Sequence, residues 1–550
     1  MALFAELRRR NVLKVALLYV IASWLALWFV QNTGDVLGMP PWAYSATLIA
    51  LTIGFPIALA FAWMYEITPA GLKKSVDVDQ TQSIVYKTGQ KLNSAVAVLL
   101  VLGALALIGE GLLPKFEFPV FGPPEGDAPT SQSTPPEIRS LVLDNGLKII
   151  VWPDHDIPNV AMYNFVRAGG RNEYPGITGL AHFFEHMMFN GTENHGPGEF
   201  DRLMEAAGSE NNAFTTPDIT VYTNRFPKTA LQTVIELEAD RLENLAIDPE
   251  MVERERGAVQ SERRTAIDNN NLQLLFEQLL ATAFVAHPYQ FPVLGWPSDI
   301  ASWTQEDLEQ FFETYYAPNN CVMVFTGDVT PAEVFSLAVD HFEPISSQEP
   351  PAAIRTIEPE QRGVRRVLVE ADAQTPMLQL GFHAGSVRDP LNIPLTLLLR
   401  ILAGDESSRL HQLLVEEQQS AVSVGSLAPN GFDPWLAFFY LILPPDGDPQ
   451  AVEETILAEL SRTAIEGVTE EELTKAKNIM MAEHWRNLAT IDGKAAALGN
   501  FEVYFGSYEA LFAESERIEA VTVEQLKEAA TIFRENNMTV GVLQPRRDEP

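Results

Sequence analysis

The chain has 550 residues, with 73 Asp or Glu against 38 Lys or Arg and a formal net charge of -35. That balance offers no basic face to displace counterions from phosphates and argues against nucleic acid as a partner. The length calls for more than one domain, the 46% hydrophobic content supports large cores, and the single cysteine, Cys321, rules out a disulfide within the chain.

The chain opens with three apolar runs, at residues 12–31, 44–65 and 95–113. Each approaches the roughly 20 residues needed to cross a bilayer. Arg8, Arg9, Arg10 and Lys14 flank the first run, and the loop at 66–93 carries Lys73, Lys74, Lys87 and Lys91. The loop at 32–43 has no Lys or Arg. The positive-inside rule then places the N-terminus and the second loop in the cytoplasm, and a third crossing leaves everything after residue 113 outside. The third run contains Glu110; lying flat in the interface, it would instead leave the rest cytoplasmic. Residues 4–12 and 54–63, with Glu66-Ile67-Thr68-Pro69-Ala70-Gly71-Leu72, resemble the membrane segment of some bacterial multi-domain signalling proteins. That resemblance implies a bacterial inner membrane and no particular activity. Residues 1–118 thus read as a membrane module. Residues 119–137, with Pro119, Pro123, Pro124, Pro129, Pro135 and Pro136, read as a semi-extended linker.

Residues 141–151 read as two short strands around Asn145-Gly146, and residues 160–166 as another. Gly169, Gly170 and Gly176 break the chain before His182-Phe183-Phe184-Glu185-His186. On a helix, His182, Glu185 and His186 share one face. Two imidazoles one turn apart can hold one metal ion, and a carboxylate beside them can handle a proton. This is the inverted form of the His-Glu-x-x-His zinc motif. The plain alternative is two helical histidines capping a core face. Gly191 suits the end of that helix. Residues 251–267 read as a second helix, on which Glu255 and Glu262, two turns apart, share a face. The alternative there is a solvated face shared with Arg256, Arg263 and Arg264.

Further ordered features are Leu143-Asp144-Asn145-Gly146-Leu147, Glu238-Ala239-Asp240-Arg241, Glu255-Arg256 with Glu262, and His287-Pro288-Tyr289. Gly295-Trp296, Tyr315-Tyr316-Ala317-Pro318-Asn319-Asn320 and Gly327-Asp328 follow. With the His182 run, these make residues 138–544 similar to the pitrilysin, insulinase and mitochondrial processing peptidase family of zinc metallopeptidases. The resemblance implies an α+β fold of two related α/β-roll domains, each an antiparallel sheet packed with helices, forming one half of a clamshell. Residues 138–345 would hold the metal, 346–364 would be a linker, and 365–546 a metal-free copy. It implies one zinc ion per chain, held by His182, His186 and Glu262. Glu185 would take a proton from the attacking water and pass it to the leaving amine. Glu255 would sit behind the ligands and either orient one of them or assist proton traffic in catalysis. Asn212, Ala213, Phe214 and Thr215 would bind an extended peptide substrate as an added strand, the alternative being an ordinary turn and strand.

Residues 377–382 read as a strand, and Gly381-Phe382-His383-Ala384-Gly385 echoes Phe165-Val166-Arg167-Ala168-Gly169. The apolar helix at 395–402 takes the place of the His182 helix and has no histidine, as a degenerate copy would. Many family members carry Arg and Tyr where Val415 and Val422 stand. Those groups help hold the substrate carbonyls and the developing oxyanion, and two valines cannot donate such hydrogen bonds. The departure implies either a second, inactive protease-like subunit as partner or weak activity of the chain alone. The expected protein is therefore a membrane-anchored zinc endopeptidase with its peptidase domains in the periplasm; the alternative is a non-catalytic peptide-binding or assembly subunit.

Overall fold

The computed structural model describes residues 138–546, the segments 65–68 and 71–74, and Tyr19, Ser23, Thr47 and Leu51. The chain divides into two compact units, Met1–Ser131 and Gln132–Pro550. In the first, strands β1 (Tyr65–Thr68) and β2 (Gly71–Lys74) form an antiparallel hairpin. The Tyr19 hydroxyl donates to Leu51 O at 2.9 Å. Among the described residues no helix is long and apolar enough to cross a membrane. The expected spans at 12–31, 44–65 and 95–113 fall almost entirely outside those residues.

The second unit is an α+β fold built on two sheets, each mixed rather than purely antiparallel as expected, because one crossover in each half brings a parallel strand pair to the sheet. The first contains β3 (Arg139–Val142), β4 (Lys148–Pro153), β5 (Asn159–Val166), β6 (Glu210–Thr215), β7 (Thr220–Pro227) and β8 (Cys321–Gly327). Its order is β3-β4-β8-β5-β7-β6, with only β4 and β8 parallel. The second contains β9 (Arg365–Ala371), β10 (Met377–His383), β11 (Ser423–Leu427), β12 (Leu436–Ile442) and β13 (Met538–Pro545). Its order is β11-β12-β10-β13-β9, with only β13 and β9 parallel. Read from the parallel edge, β9-β13-β10-β12-β11 repeats β4-β8-β5-β7-β6 pair for pair. The echo between Phe165–Gly169 and the segment 381–385 is therefore a repeat of topology. The helix Asn392–Ala403 follows β10 as the His182 helix follows β5, and nine of its twelve residues are buried apolar ones.

Each sheet is covered on both faces, which explains why β8 is buried along its whole length. Cys321, Met323 and Phe325 of β8 face one core with the His182 helix. Val322 and Val324 face a second core. That second core is completed from the other half: Ile491, Ala495, Leu498 and Val503 of the helix Ile491–Phe505 pack there against Ile150, Ala161 and Phe165. The exchange is reciprocal. Helix Asn271–Ala283 of the first half lays Leu275 and Leu279 on the second sheet, beside Leu436, Phe438 and Leu543. Each is the third helix after the fourth strand of the shared pattern in its half. Polar ties fix the exchange. Thr326 Oγ1 donates to Ile491 O at 2.6 Å, and Lys148 pairs with Glu502 at 2.7 Å.

Close contact here requires glycine. A Cβ on Gly499 would lie 1.9 Å from the Phe165 ring, whereas Gly257 on an open helix face has nothing within 4 Å. Gly499→Ala should cost about 1–3 kcal/mol through overpacking and lower the thermal unfolding midpoint of the chain. Gly257→Ala should leave the midpoint level or raise it.

Candidate metal centre

The helix Leu180–Met187 has eight residues. Alone it would be too short to persist in water. Leu180, Ala181, Phe183, Phe184 and Met187 are buried on several sides. Phe184 stacks on Phe311 with centroids 5.5 Å apart, and Phe183 tilts against Trp303 at 5.0 Å. The N-terminal turn is closed by Glu173, whose two carboxyl oxygens accept from Gly179 N at 2.7 Å and Ala181 N at 2.8 Å. Burial pushes that carboxyl well above the usual range although these N–H groups pull the other way. Gly179 takes φ 90 at the helix cap, and a Cβ there would strike Gly295 Cα at 2.8 Å. The loop before the cap is held by Asp299, which accepts from Gly176 N and the Thr178 hydroxyl.

On this fixed helix the rings of His182 and His186 stand 4.7 Å apart. Glu262 comes from the helix Pro249–Arg263. Its Oε2 lies 3.1 Å from His186 Nε2 and 3.5 Å from His182 Nε2. One donor atom from each of the three residues falls within 4.8 Å of the others. Two imidazole nitrogens and one carboxylate oxygen are the donor set of a catalytic zinc site that keeps its fourth position open. Behind His186, Nδ1 meets Glu255 Oε1 at 2.8 Å. A carboxylate there holds the proton on Nδ1, which leaves Nε2 as the nitrogen that would ligate a metal beside Glu262. Glu255 is itself held by Asn190 Nδ2 at 2.7 Å, and Asn190 by Arg254 at 3.1 Å. His182 Nδ1 is buried with no hydrogen-bond partner among the described residues, so that ring is oriented by packing and by the Nε2 contact with Glu262.

With no metal bound, these groups act on one another. Contacts with His182 and then His186 hold the Glu262 carboxyl far below the usual range, against the opposing effect of burial. The His186 bond holds Glu255 low in the same way. Burial lowers the pKa of His186, but its bonds to Glu255 and Glu262 outweigh that and raise it to about 9. The third residue of the motif, Glu185, does not join the ligand cluster. Its Oε2 accepts from Thr215 Oγ1 at 2.6 Å.

The segment expected to bind substrate lies in strand β6, one edge of the first sheet. Ala213 is buried in the core beside the His182 helix, and Phe214 is 46% exposed on the opposite face. The Asn212 side chain accepts from the backbone N–H of Ala213 at 2.9 Å. Thr215 faces Glu185. The four residues therefore divide between two faces of one strand.

The solvated-face alternative for the Glu262 helix does not hold. Arg256 and Arg263 are buried and only Arg264 is exposed. Arg256 donates to Ile300 O and to Trp303 O. Arg263 makes two 2.8 Å bonds to the Glu277 carboxylate and one to Gly295 O. It thus ties the residue after Glu262 both to the exchanged helix and to the glycine packed on the His182 helix cap. A π-helical turn, Arg264–Asp268, follows at once. Glu238-Ala239-Asp240-Arg241 also proves structural: Arg241 pairs with Glu238 at 2.6 Å and lies over the Phe189, Phe200 and Tyr222 rings. His287-Pro288-Tyr289 joins the halves, with His287 Nε2 3.0 Å from Asp433 Oδ2 and the Tyr289 hydroxyl donating to Asp218 at 2.7 Å. Glu173, Asp218, Glu277, Asp299 and Asp433 had no signal in the sequence, because their partners lie at no regular spacing. Val415 packs partly buried against the main core of the second half, beside Leu414 and Leu410, and Val422 is 58% exposed.

Below pH 9 metal-free His186 carries a proton that a metal must displace. Metal affinity should therefore weaken as pH falls, by up to about tenfold per unit for that proton. Calorimetry of metal-free protein at pH 7.5, in buffers of different ionisation enthalpy, should report the release. Glu255→Gln should reduce that release and weaken metal affinity about 10–100-fold.

Comparison with known proteins agrees with this geometry. Residues 150–295 match the family described as Insulinase (Peptidase family M16), and residues 302–480 match the Peptidase M16 inactive domain. The zinc protease PqqE of Helicobacter pylori is 30% identical over 377 residues, covering 68% of this chain and 85% of that protein. The crystal structure of a protease from Helicobacter pylori superposes with a TM-score of 0.71 at 28% identity, over 74% of this chain and all (100%) of that one. The first half of the periplasmic protease PqqL from Escherichia coli shares the fold, with a TM-score of 0.61 at 20% identity over 74% of this chain and 92% of that one. The clustered donor atoms of the first half, the repeated sheet order of the second and the 30% identity to a zinc protease lead to one assignment: the chain belongs to the insulinase family, peptidase family M16.

Proposed function

We propose that the chain is a zinc-dependent endopeptidase that hydrolyses peptides or unfolded polypeptide segments. The observation that carries this reading is the convergence of His182 Nε2, His186 Nε2 and Glu262 Oε2, with Glu185 on the same helix kept out of the cluster. Bound there, zinc supplies a Lewis acid that polarises the scissile carbonyl and acidifies water. The two histidines and Glu262 hold the ion. Glu255 keeps His186 in the ligating tautomer. Glu185 has Oε2 engaged by Thr215, so Oε1 is the oxygen that accepts the proton of the attacking water and delivers it to the leaving amine. The free edge of β6 takes an extended peptide through main-chain hydrogen bonds, which favours unfolded segments over folded proteins.

The three apolar runs and their flanking charges support a further part of the proposal: the N-terminal module anchors the enzyme in a bacterial inner membrane with the peptidase halves in the periplasm. Val415 and Val422 offer no donor for a substrate carbonyl, which supports a partner subunit that does. The same two valines are what favours the other reading, a non-catalytic peptide-binding or assembly subunit.

Glu185→Gln separates the two readings. The metal-loaded variant should keep one zinc per chain and lose about 10²–10⁴-fold in peptide hydrolysis, as removal of a general base does. A chelator should abolish wild-type cleavage of a mixed peptide library, and zinc should restore it. Cleavage unaffected by chelator or by Glu185→Gln would refute the assignment.

A further inference from the structure

Glu185 is a partly exposed side chain with three rotatable bonds, on a helix whose other groups are locked. Among the described residues, one hydrogen bond restrains its carboxylate: the 2.6 Å bond from Thr215 Oγ1 to Oε2. Thr215 ends strand β6 and pairs across the sheet with Thr220. The two hydroxyl oxygens are 3.3 Å apart. Thr220, fully buried, spends its own proton on Ala168 O at 3.0 Å. The Thr215 proton is thus directed at Glu185.

The turn that follows Thr215 is bolted down. Thr216 O accepts from Gly170 N at 3.3 Å, and Pro217 O accepts from Arg171 N at 2.8 Å. Thr216 Oγ1 accepts from Asp218 N and Ile219 N. The buried Asp218 carboxylate takes the Tyr289 hydroxyl at 2.7 Å and, from the second half, Phe432 N at 3.1 Å. A Cβ on Gly169 would lie 2.5 Å from Thr216 O, so the two loops touch along their backbones. The hydroxyl therefore projects from a point fixed by both halves of the molecule.

We propose that Thr215 is a positioning residue for Glu185: its hydroxyl holds Oε2 so that Oε1 alone is aimed at the attacking water. The proposal rests on the peptidase reading and adds to it a residue outside the metal motif. The side chain works through its proton rather than its bulk. Losing it frees the base to swing, and misplacement of a reacting group by about 1 Å can cost about 100-fold in rate.

The test compares Thr215→Val, which keeps the shape and removes the donor, with Thr215→Ser, which keeps the donor. Thr215→Ala replaces the valine variant if that one does not fold, with the same expectation. Each is made in the full chain and loaded with zinc. Crystal structures should show Glu185 in one conformer in wild type and Thr215→Ser, and in several in Thr215→Val. With a peptide substrate, Thr215→Val should lower kcat about 10–100-fold while KM stays within about threefold, as loss of a transition-state alignment does. Thr215→Ser should stay within about threefold of wild type, and all should bind one zinc per chain. A single unchanged Glu185 conformer in Thr215→Val would overturn the proposal, as would wild-type kcat in that variant or an equal loss in Thr215→Ser. The structural arm decides the proposal without reference to activity. If wild type shows no chelator-sensitive cleavage, it is the peptidase reading that fails, and the conformers of Glu185 still decide the role of Thr215.

Discussion

A site made of two imidazoles one helical turn apart works only if the helix cannot rotate. A turn of about 100° per residue separates successive side chains, so a small rotation would carry His182 or His186 away from Glu262. Eight residues cannot resist that through their own hydrogen bonds. The molecule fixes the helix from outside. Glu173 and Gly179 set its N-terminal end, Phe311 and Trp303 grip its aromatic sides, and the Tyr222 hydroxyl donates to Phe184 O at 3.1 Å. The metal centre depends on this immobility as well as on the identity of its three ligands.

The second half has no metal ligands in its corresponding helix, yet the centre depends on it. Helix Ile491–Phe505 closes the back of the first sheet, and helix Asn271–Ala283 leaves the first half to close the back of the second. Arg263, next to Glu262, bonds Glu277 on that departing helix. Asp218, next to the β6 turn, bonds Phe432 N. The third ligand and the strand beside Glu185 are thus each one residue or one short turn from an interdomain tie. Buried charge pairs such as Arg263–Glu277 are costly to break and easily lost to apolar replacement, and here they set geometry rather than add much stability. A copy of the domain whose corresponding helix lacks the histidine motif makes physical sense as the scaffold that completes the other copy's core.

Much of this was legible in the sequence, for identifiable reasons. The ligands lie at helical spacings, so His182, Glu185 and His186 on one helix, and Glu255 and Glu262 on another, fall on common faces. Asn145-Gly146 marked its hairpin, with Gly146 at φ 89. The repeat was visible as one echoed strand and one helix without histidine, and the sheet order extends it to five strands. The exchange of helices was not legible. Amphipathic faces on 271–283 and 491–505 call for burial but do not say against which sheet. The arginines beside Glu262 read equally well as solvent-facing, because no spacing rule links Arg263 to Glu277 or Arg256 to Trp303. Thr215 stood in a segment read for its backbone, and a hydroxyl aimed at Glu185 emerges only once β6 lies beside the helix.

If His182, His186 and Glu262 form one zinc site, anomalous diffraction at the zinc absorption edge from crystals of the zinc-loaded chain will show one strong peak per chain. His182 Nε2 and His186 Nε2 should lie about 2.0–2.1 Å from it and a Glu262 oxygen about 2.0–2.2 Å. A peak elsewhere on the chain, or none at these residues with zinc in excess, would contradict that assignment.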